Sequence, residues 1–126
     1  NYRRGTTDLK VTFTPRGIQV LQDLQQDDGF SLLGDLRHGI GLRYANGPLL
    51  RPDHHHREGV PPFEVWASFS EGVCESGAAD VMENCPAILA GRYFQGKVIF
   101  CSPHPEYMIG TSFLIRRLVR AFDLLD

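Results

Sequence analysis

The most informative stretch of the sequence is residues 91–107, which read GRYFQGKVIFCSPHPEY. Its apolar run, Val98 to Cys101, does not alternate with polar residues and lies between Gly96 and Pro103. Such a run is typical of a strand that is covered on both faces. The stretch therefore predicts a strand, a tight turn and a second, buried strand, followed by a loop.

The loop after this strand holds a histidine between two prolines. Pro103 and Pro105 each fix their own φ and favour extended backbone at the residue before them, so His104 has little conformational freedom. Glu106 follows two residues later. A stiff loop at the carboxyl end of a buried strand is where α/β sheets place groups that handle ligands. His104 and Glu106 are therefore the candidate functional pair.

A second motif lies upstream, and with the first it resembles a known family. Residues 44–48 read YANGP, and residues 91–106 resemble the segment that ends in the His-x-Glu of class I glutamine amidotransferase-like domains. Within that superfamily, the branch that resembles the N-terminal region of biotin-protein ligases is the most similar. A weaker third match, TFTPRG, lies at residues 12–17. The similarity spans roughly residues 9 to 110.

This resemblance implies a flavodoxin-like amidotransferase fold with a Cys-His-Glu triad. By this similarity, His104 would be the base beside a cysteine nucleophile, and Glu106 would orient the ring. The family's cysteine lies upstream on a strand-to-helix turn of the form Gly-x-Cys-x-Gly, which this sequence lacks. The residues of the second motif are the candidate binding residues, namely Tyr44, Asn46, Gly47 and Pro48.

The chain has three cysteines, at positions 74, 85 and 101. An odd number without Cys-x-x-Cys spacing argues against a disulfide framework or a structural zinc site, and it favours a reducing, cytoplasmic location. Cys74 comes nearest to the nucleophile turn, in the sequence GVCESG, but its second glycine lies one residue too far along and no apolar-periodic helix follows. Cys101 is expected in the core as a small hydrophobic residue.

Several classes of function are disfavoured by composition. The formal net charge of -2 gives no general attraction to nucleic acid or to an acidic membrane. No apolar stretch approaches the roughly 20 residues that span a bilayer. The sequence has no glycine loop that would cradle a phosphate, and it predicts no cofactor.

Three adjacent histidines, His54 to His56, lie in a segment with several prolines and glycines. Consecutive residues on a loop point in different directions, so they do not converge on one ion. This segment predicts a solvated surface loop rather than a metal site, and metal contact is the alternative.

The remaining patterns predict an α/β domain. Alternating apolar residues predict strands near Leu9, Ile40 and Phe63, and a helix follows Thr14, which is the expected N-cap. Apolar residues every four positions from Leu114 predict a C-terminal helix. We therefore expect a single domain over residues 1–126 with a mixed sheet of about five or six short strands and a long C-terminal helix. The resemblance makes it the C-terminal part of an amidotransferase-like domain.

Three functions are compatible with these residues. The first is an amidotransferase-like domain that lacks the nucleophilic cysteine and has no catalytic activity as this chain. The second is the C-terminal half of an active Cys-His-Glu amidotransferase or hydrolase whose nucleophile lies upstream. The third is a module that binds a protein partner or a small amide or carboxylate ligand. A purely structural role for His104 and Glu106, at a strand end and a helix cap, is the alternative to all three.

Self-association is also expected. If the part of the family's domain that carries the nucleophile is absent, the sheet loses strands. Apolar faces and an open sheet edge are then exposed, and another molecule is expected to cover them. The alternation of the strand at residues 63–69 puts Trp66 on the face opposite its phenylalanines, so that face is either covered or in contact with another molecule. The expected contact therefore lies near Trp66 and the strand at residues 98–101.

Overall fold

The computed structural model describes residues 6–23, 33–51, 58–59, 62–73, 79–107 and 111–125. The α/β class, the strand count and the C-terminal helix are confirmed. The strands are β1 (Thr6–Phe13), β2 (Ile40–Ala45), β3 (Glu64–Phe69), β4 (Pro86–Tyr93) and β5 (Gly96–Cys101). The helices are α1 (Pro15–Asp23), α2 (Leu33–His38) and α3 (Phe113–Arg120), and α3 continues as a 3-10 turn, Ala121–Leu124.

The five strands form one sheet in the order β2-β1-β3-β4-β5. All of its described pairs are antiparallel, where the sequence predicted a mixed sheet. Three of the four pairings join strands that are consecutive in sequence, β1–β2, β3–β4 and β4–β5, and a short connection such as the one between β4 and β5 favours antiparallel pairing. None of the helices in the described part of the chain is long and apolar enough to cross a membrane.

The β1–α1 unit follows the predicted pattern. Leu9, Val11 and Phe13 are buried and alternate with exposed or half-buried residues, as expected for a strand with one face on the core. Thr14 caps α1, because its Oγ1 accepts the backbone N–H of Gly17 at 3.1 Å. Pro15 occupies the first helical position, where its missing N–H costs nothing.

The strand β3 departs from simple alternation. Its pairing with β4 shifts register between Val65 and Ala67 and again at Ser68, so one alternation does not run through the whole strand. Trp66 is fully buried, and its Nε1 donates to Glu64 Oε2 at 3.0 Å. The indole is thus covered within the chain, and the expected intermolecular contact at Trp66 is wrong.

The strand β5 lies at the edge of the sheet rather than in its interior. Ile99 and Cys101 pack against the core, whereas Val98 is half-buried and Phe100 is 41% exposed. The prediction of a strand covered on both faces is therefore wrong. The apolar run correctly indicated a strand, but it carries no information on which neighbours the strand has.

The core lies on one side of this sheet. Most of its buried residues come from the strands β1 to β4 and from the helices, and Trp66, Tyr44 and Phe69 are the largest of them. Helix α3 contributes Leu114 and Leu118, as the four-residue spacing predicted. The opposite side of the sheet, which we call the outer face, carries polar residues on β1 and β2.

Candidate functional site

The predicted pair meets in the loop after β5. His104 Nδ1 lies 2.9 Å from Glu106 Oε1, and the two side chains are 37% and 51% exposed. The ring of Tyr107 packs edge to face against the His104 ring, with 5.7 Å between centroids. The structure thus brings the imidazole and the carboxylate together at a solvent-accessible position.

The loop holds the backbone of His104 at both of its polar groups. The N–H of His104 donates to the carbonyl of Arg43 at 2.6 Å and forms an extra antiparallel bridge to β2. Its carbonyl accepts the N–H of Tyr107 at 3.2 Å, across a short 3-10 turn, Pro105–Tyr107. Both flanking prolines are buried. The stiffness that the two prolines predicted is therefore supplemented by one hydrogen bond to a distant strand and one within the loop.

The second motif packs directly against this loop. Ser102 Oγ donates to the carbonyl of Pro48 at 2.7 Å. A Cβ on Gly47 would lie 2.8 Å from the carbonyl oxygen of Ser102, so only glycine fits this approach. Asn46 adopts a φ of 52°, a left-handed conformation that asparagine tolerates in turns. The two motifs, distant in sequence, therefore form one continuous site.

Tyr44 supports this turn from inside the protein. Its side chain is fully buried, and its hydroxyl donates to the carbonyl of Gly47 at 2.6 Å. Pro48 is exposed and Asn46 is half-buried, so these two present the outer surface of the turn. A binding role for the four residues of this motif stays a prediction.

Glu106 is ionised at neutral pH. Partial burial raises its pKa, but hydrogen bonds from its own backbone amide and from His104, together with the His104 charge, lower the pKa below its ordinary value. A carboxylate facing Nδ1 favours the tautomer that carries its proton there, which leaves Nε2 as the acceptor in a neutral ring. The arrangement can therefore orient an imidazole for proton transfer at Nε2.

The described cysteines have hydrogen-bond partners other than this pair. Burial, with a smaller contribution from the Glu106 charge, raises the pKa of Cys101 to about 12, so its thiol stays protonated at neutral pH. Cys101 Sγ lies 3.3 Å from the carbonyl of Pro103, and Cys85 Sγ lies 3.3 Å from that of Val81. Neither of these two thiols hydrogen-bonds to His104. Cys74 lies outside the described residues.

Within the described part of the chain, no group of three or more His, Cys, Asp or Glu side chains could hold a metal ion. The run His54 to His56 lies outside the described residues, so its prediction as a solvated loop stays a prediction. Sequence reasoning missed two contributors to the site, Ser102 and Arg43. No local sequence pattern indicates these two residues. Ser102, for example, contacts Pro48, which lies 54 positions away in the sequence.

Beside the loop, Arg43 Nε pairs with Asp8 Oδ1 at 3.0 Å. The two residues are directly opposite each other on β2 and β1, and the bridge to β2 sets His104 opposite Arg43. Residues opposite each other in an antiparallel pair project from the same side of the sheet. The polar part of the outer face therefore continues into the site.

Comparisons with known proteins identify no relative of this chain. No family model matches the chain, and no curated protein or solved structure matches it either. The resemblance to amidotransferase-like domains accordingly rests on the two motifs.

Proposed function

We propose that this chain carries the histidine and carboxylate of an amidotransferase-like site and has no catalytic activity by itself. The observation that supports this proposal is the 2.9 Å contact between His104 Nδ1 and Glu106 Oε1, on a loop clamped to β2. The motifs that resemble the family's meet at this loop. The chain would then be the C-terminal part of such a domain.

The chemistry explains why this pair is insufficient. Hydrolysis of a glutamine side chain needs a thiolate that attacks the amide, a histidine that moves protons, a carboxylate that orients the histidine and donors for the oxyanion. His104 and Glu106 fit the second and third roles. The raised pKa of Cys101 removes it from the first role at neutral pH.

A glutaminase assay with ammonia detection tests the proposal. We expect the chain to release no more ammonia than the buffer does, and the His104→Ala variant to give the same rate. Turnover by the chain that His104→Ala abolishes would contradict the inactive function, and it would point to Cys74 or another group as the nucleophile.

A labelling experiment tests Cys74 directly. A thiol activated by a neighbouring imidazole has a lowered pKa and reacts quickly with iodoacetamide at neutral pH. We expect Cys74 to react at the rate of an ordinary thiol and to be insensitive to His104→Ala. Rapid labelling that this substitution slows would assign Cys74 as the nucleophile.

The second candidate is the C-terminal half of an active Cys-His-Glu amidotransferase or hydrolase. It is favoured by the accessibility of His104, whose side chain is 37% exposed and whose Nδ1 is already held by Glu106. The test is to express this chain together with the sequence encoded upstream of Asn1. An enzyme of this kind shows glutaminase activity that both His104→Ala and substitution of the upstream cysteine remove.

A small amide or carboxylate ligand is the third candidate for this site. The exposed surface of the Asn46–Pro48 turn beside His104 favours it. Titration with glutamine, followed by the His104 ring signals in NMR spectra, tests the idea. Saturable shifts that Glu106→Gln weakens would support binding, and unchanged spectra would exclude glutamine as the ligand.

We further propose that the chain self-associates in a cytoplasmic setting. Free thiols at Cys85 and Cys101 support a reducing environment. Exposed apolar side chains outside the core support self-association, among them Phe63 and Phe100.

A further inference from the structure

Among the described residues, no strand pairs with the outer edge of β5. The N–H of Ser102 donates to the carbonyl of Ala87, and hydrogen-bonded pairs in an antiparallel ladder recur every second residue. Val98 and Phe100 therefore bond to β4, whereas the backbone groups of three alternate residues point away from the sheet: Lys97, Ile99 and Cys101. In the described part of the chain, no backbone hydrogen bond reaches these outward groups.

This edge lacks most of the features that protect edge strands. Such features include proline, bulges and charged side chains that point outward. The register of β4 and β5 is continuous from Ile88 opposite Cys101 to Tyr93 opposite Gly96, and the strand contains no proline. The one charged residue is Lys97, whose Nζ is held by the carbonyl of Phe122 at 2.8 Å. Within the part of the chain that the structure describes, the outer edge of GKVIFC is thus without a backbone partner.

An apolar patch on the outer face adjoins this edge. Its members are half-buried or exposed and lie outside the core; they are Phe63, Val65, Leu89, Val98 and Phe100. Cross-strand pairing places Val65, Leu89 and Phe100 in one row. The ring of Phe63 lies over Gly91, the residue opposite Val98. We call these five residues the outer patch.

The outer patch alone is too small for a stable interface. Phe63 and Phe100 are 43% and 41% exposed. On side chains that can bury about 200 Å² each, this is roughly 80 Å² per ring. A stable protein interface buries about 800 Å² per partner. Hydrogen bonds along the strand edge must therefore supply a large part of any contact made here.

We infer that β5 pairs antiparallel with β5 of a second copy of the chain, with Ile99 opposite Ile99 of the partner. In this register Lys97 of each copy lies opposite Cys101 of the other, so all the outward backbone groups of the strand find partners. Val98 lies opposite Phe100 of the other copy on the outer face. This inference rests on the self-association proposed above and is independent of the amidotransferase-like proposal.

The strand fits a second copy because it is complementary to itself. The outward groups are symmetric about Ile99, as a two-fold axis requires. The same axis sets a β-branched side chain against an aromatic one at both outer-face positions, a pairing that stabilises antiparallel strands. It also joins the two outer patches across the axis.

Sedimentation velocity at tens of micromolar is the first test. We expect a dimer for the wild-type chain and a monomer for Phe100→Glu, because the glutamate would face Val98 across the axis. Phe94→Glu is the matched control: Phe94 is 86% exposed at the β4–β5 turn, outside the proposed contact, so this variant stays a dimer. A monomeric wild type overturns both self-association and the pairing. A dimer that survives Phe100→Glu overturns only the pairing.

The register is tested by cross-linking mixed variants. Residues in a non-hydrogen-bonded antiparallel pair have Cα atoms about 4.5 Å apart, within disulfide range. Chains with Val98→Cys and chains with Phe100→Cys, differing in mass, should form a mixed disulfide dimer on oxidation. Each variant alone has the same native thiols and should cross-link several-fold less. Equal cross-linking in the single-variant samples, or none in the mixture, overturns this register.

Discussion

The pair His104–Glu106 makes the ionisation of one carboxylate depend on one imidazole. Replacing His104 by alanine removes a hydrogen bond and a charge that lower the pKa of Glu106, while partial burial still raises it. We therefore expect the pKa of Glu106 to rise in His104→Ala. Carbon-13 NMR titration of the Glu106 carboxyl group measures the change. An unchanged pKa would mean that the backbone amide, and not His104, lowers the pKa of this carboxyl group.

The same shift sets the direction of a pH effect on stability. The pKa of Glu106 is lower in the folded chain than the ordinary value of a glutamate side chain. Its stabilising contribution is therefore complete above the unfolded pKa and is lost as pH falls through the folded pKa. Because the side chain is half exposed, solvent screening keeps the contribution below about 1 kcal/mol.

Cys101 differs from an ordinary thiol in its reactivity. With a pKa of about 12, its thiolate fraction at pH 8 is roughly a thousandfold below that of a free cysteine. We expect iodoacetamide to label Cys101 very slowly in the folded chain and at a normal rate in guanidinium chloride, as followed by peptide mass spectrometry. Fast labelling of the folded chain would show that the strand end opens readily.

At the scale of the elements, the contact of α1 with β3 depends on one glycine. A Cβ on Gly17 would lie 2.1 Å from the carbonyl oxygen of Trp66, a backbone atom that cannot move aside. Alanine gains about 1 kcal/mol of helix propensity over glycine. The clash outweighs this gain, so we expect Gly17→Ala to lower the free energy of unfolding by at least about 2 kcal/mol.

A second glycine provides the control for this substitution. A Cβ on Gly41, on β2, would meet no atom within 4 Å. We expect Gly41→Ala to change the free energy of unfolding by less than about 0.5 kcal/mol. Urea denaturation of both variants makes the comparison. Equal stabilities would mean that α1 shifts on β3 at little cost.

The elements show which parts of the fold a sequence can predict. Strand β1 and the Thr14 cap follow from local rules, period-two alternation and a hydroxyl before a proline, and both are present. Trp66 could not be assigned, because the register shifts of β3 arise from pairing with β4. For the same reason the edge position of β5 was not predictable. Local patterns identify strands, whereas long-range pairing decides their neighbours.

The candidate site divides in the same way. The closeness of His104 and Glu106 follows from their two-residue spacing in a stiff loop. The bonds from this loop to Arg43 and Pro48 join distant positions and could not be read from the sequence. The family resemblance linked the two motifs, but it did not predict how they contact each other.

For the whole molecule, one core connects the helices to the sheet. Leu114 on α3 is fully buried in the cluster that also contains Trp66, the single tryptophan. We expect Leu114→Ala to lower the free energy of unfolding by about 2–5 kcal/mol. Because the cluster is shared, the fluorescence of Trp66 and the circular dichroism should change together in urea. Separate transitions would indicate that α3 unfolds independently.

The control for this substitution lies on the same helix. Val119 is 60% exposed, so its truncation to alanine removes little buried surface. We expect Val119→Ala to leave the midpoint of urea denaturation nearly unchanged. A loss as large as that of Leu114→Ala would show that the outer side of α3 is covered in solution.

The sheet order also affects how the chain acquires its structure. Strand β1 lies between β2 and β3, and β3 begins at Glu64, about fifty residues after β1 ends. Closing a loop of that length costs entropy before any contact compensates it, so topologies of this kind fold slowly. During synthesis, β1 and β2 leave the ribosome before β3, the strand that pairs with the other edge of β1. Until β3 is synthesised, the edge of β1 that pairs with it stays open, and unpaired strand edges of this kind favour aggregation.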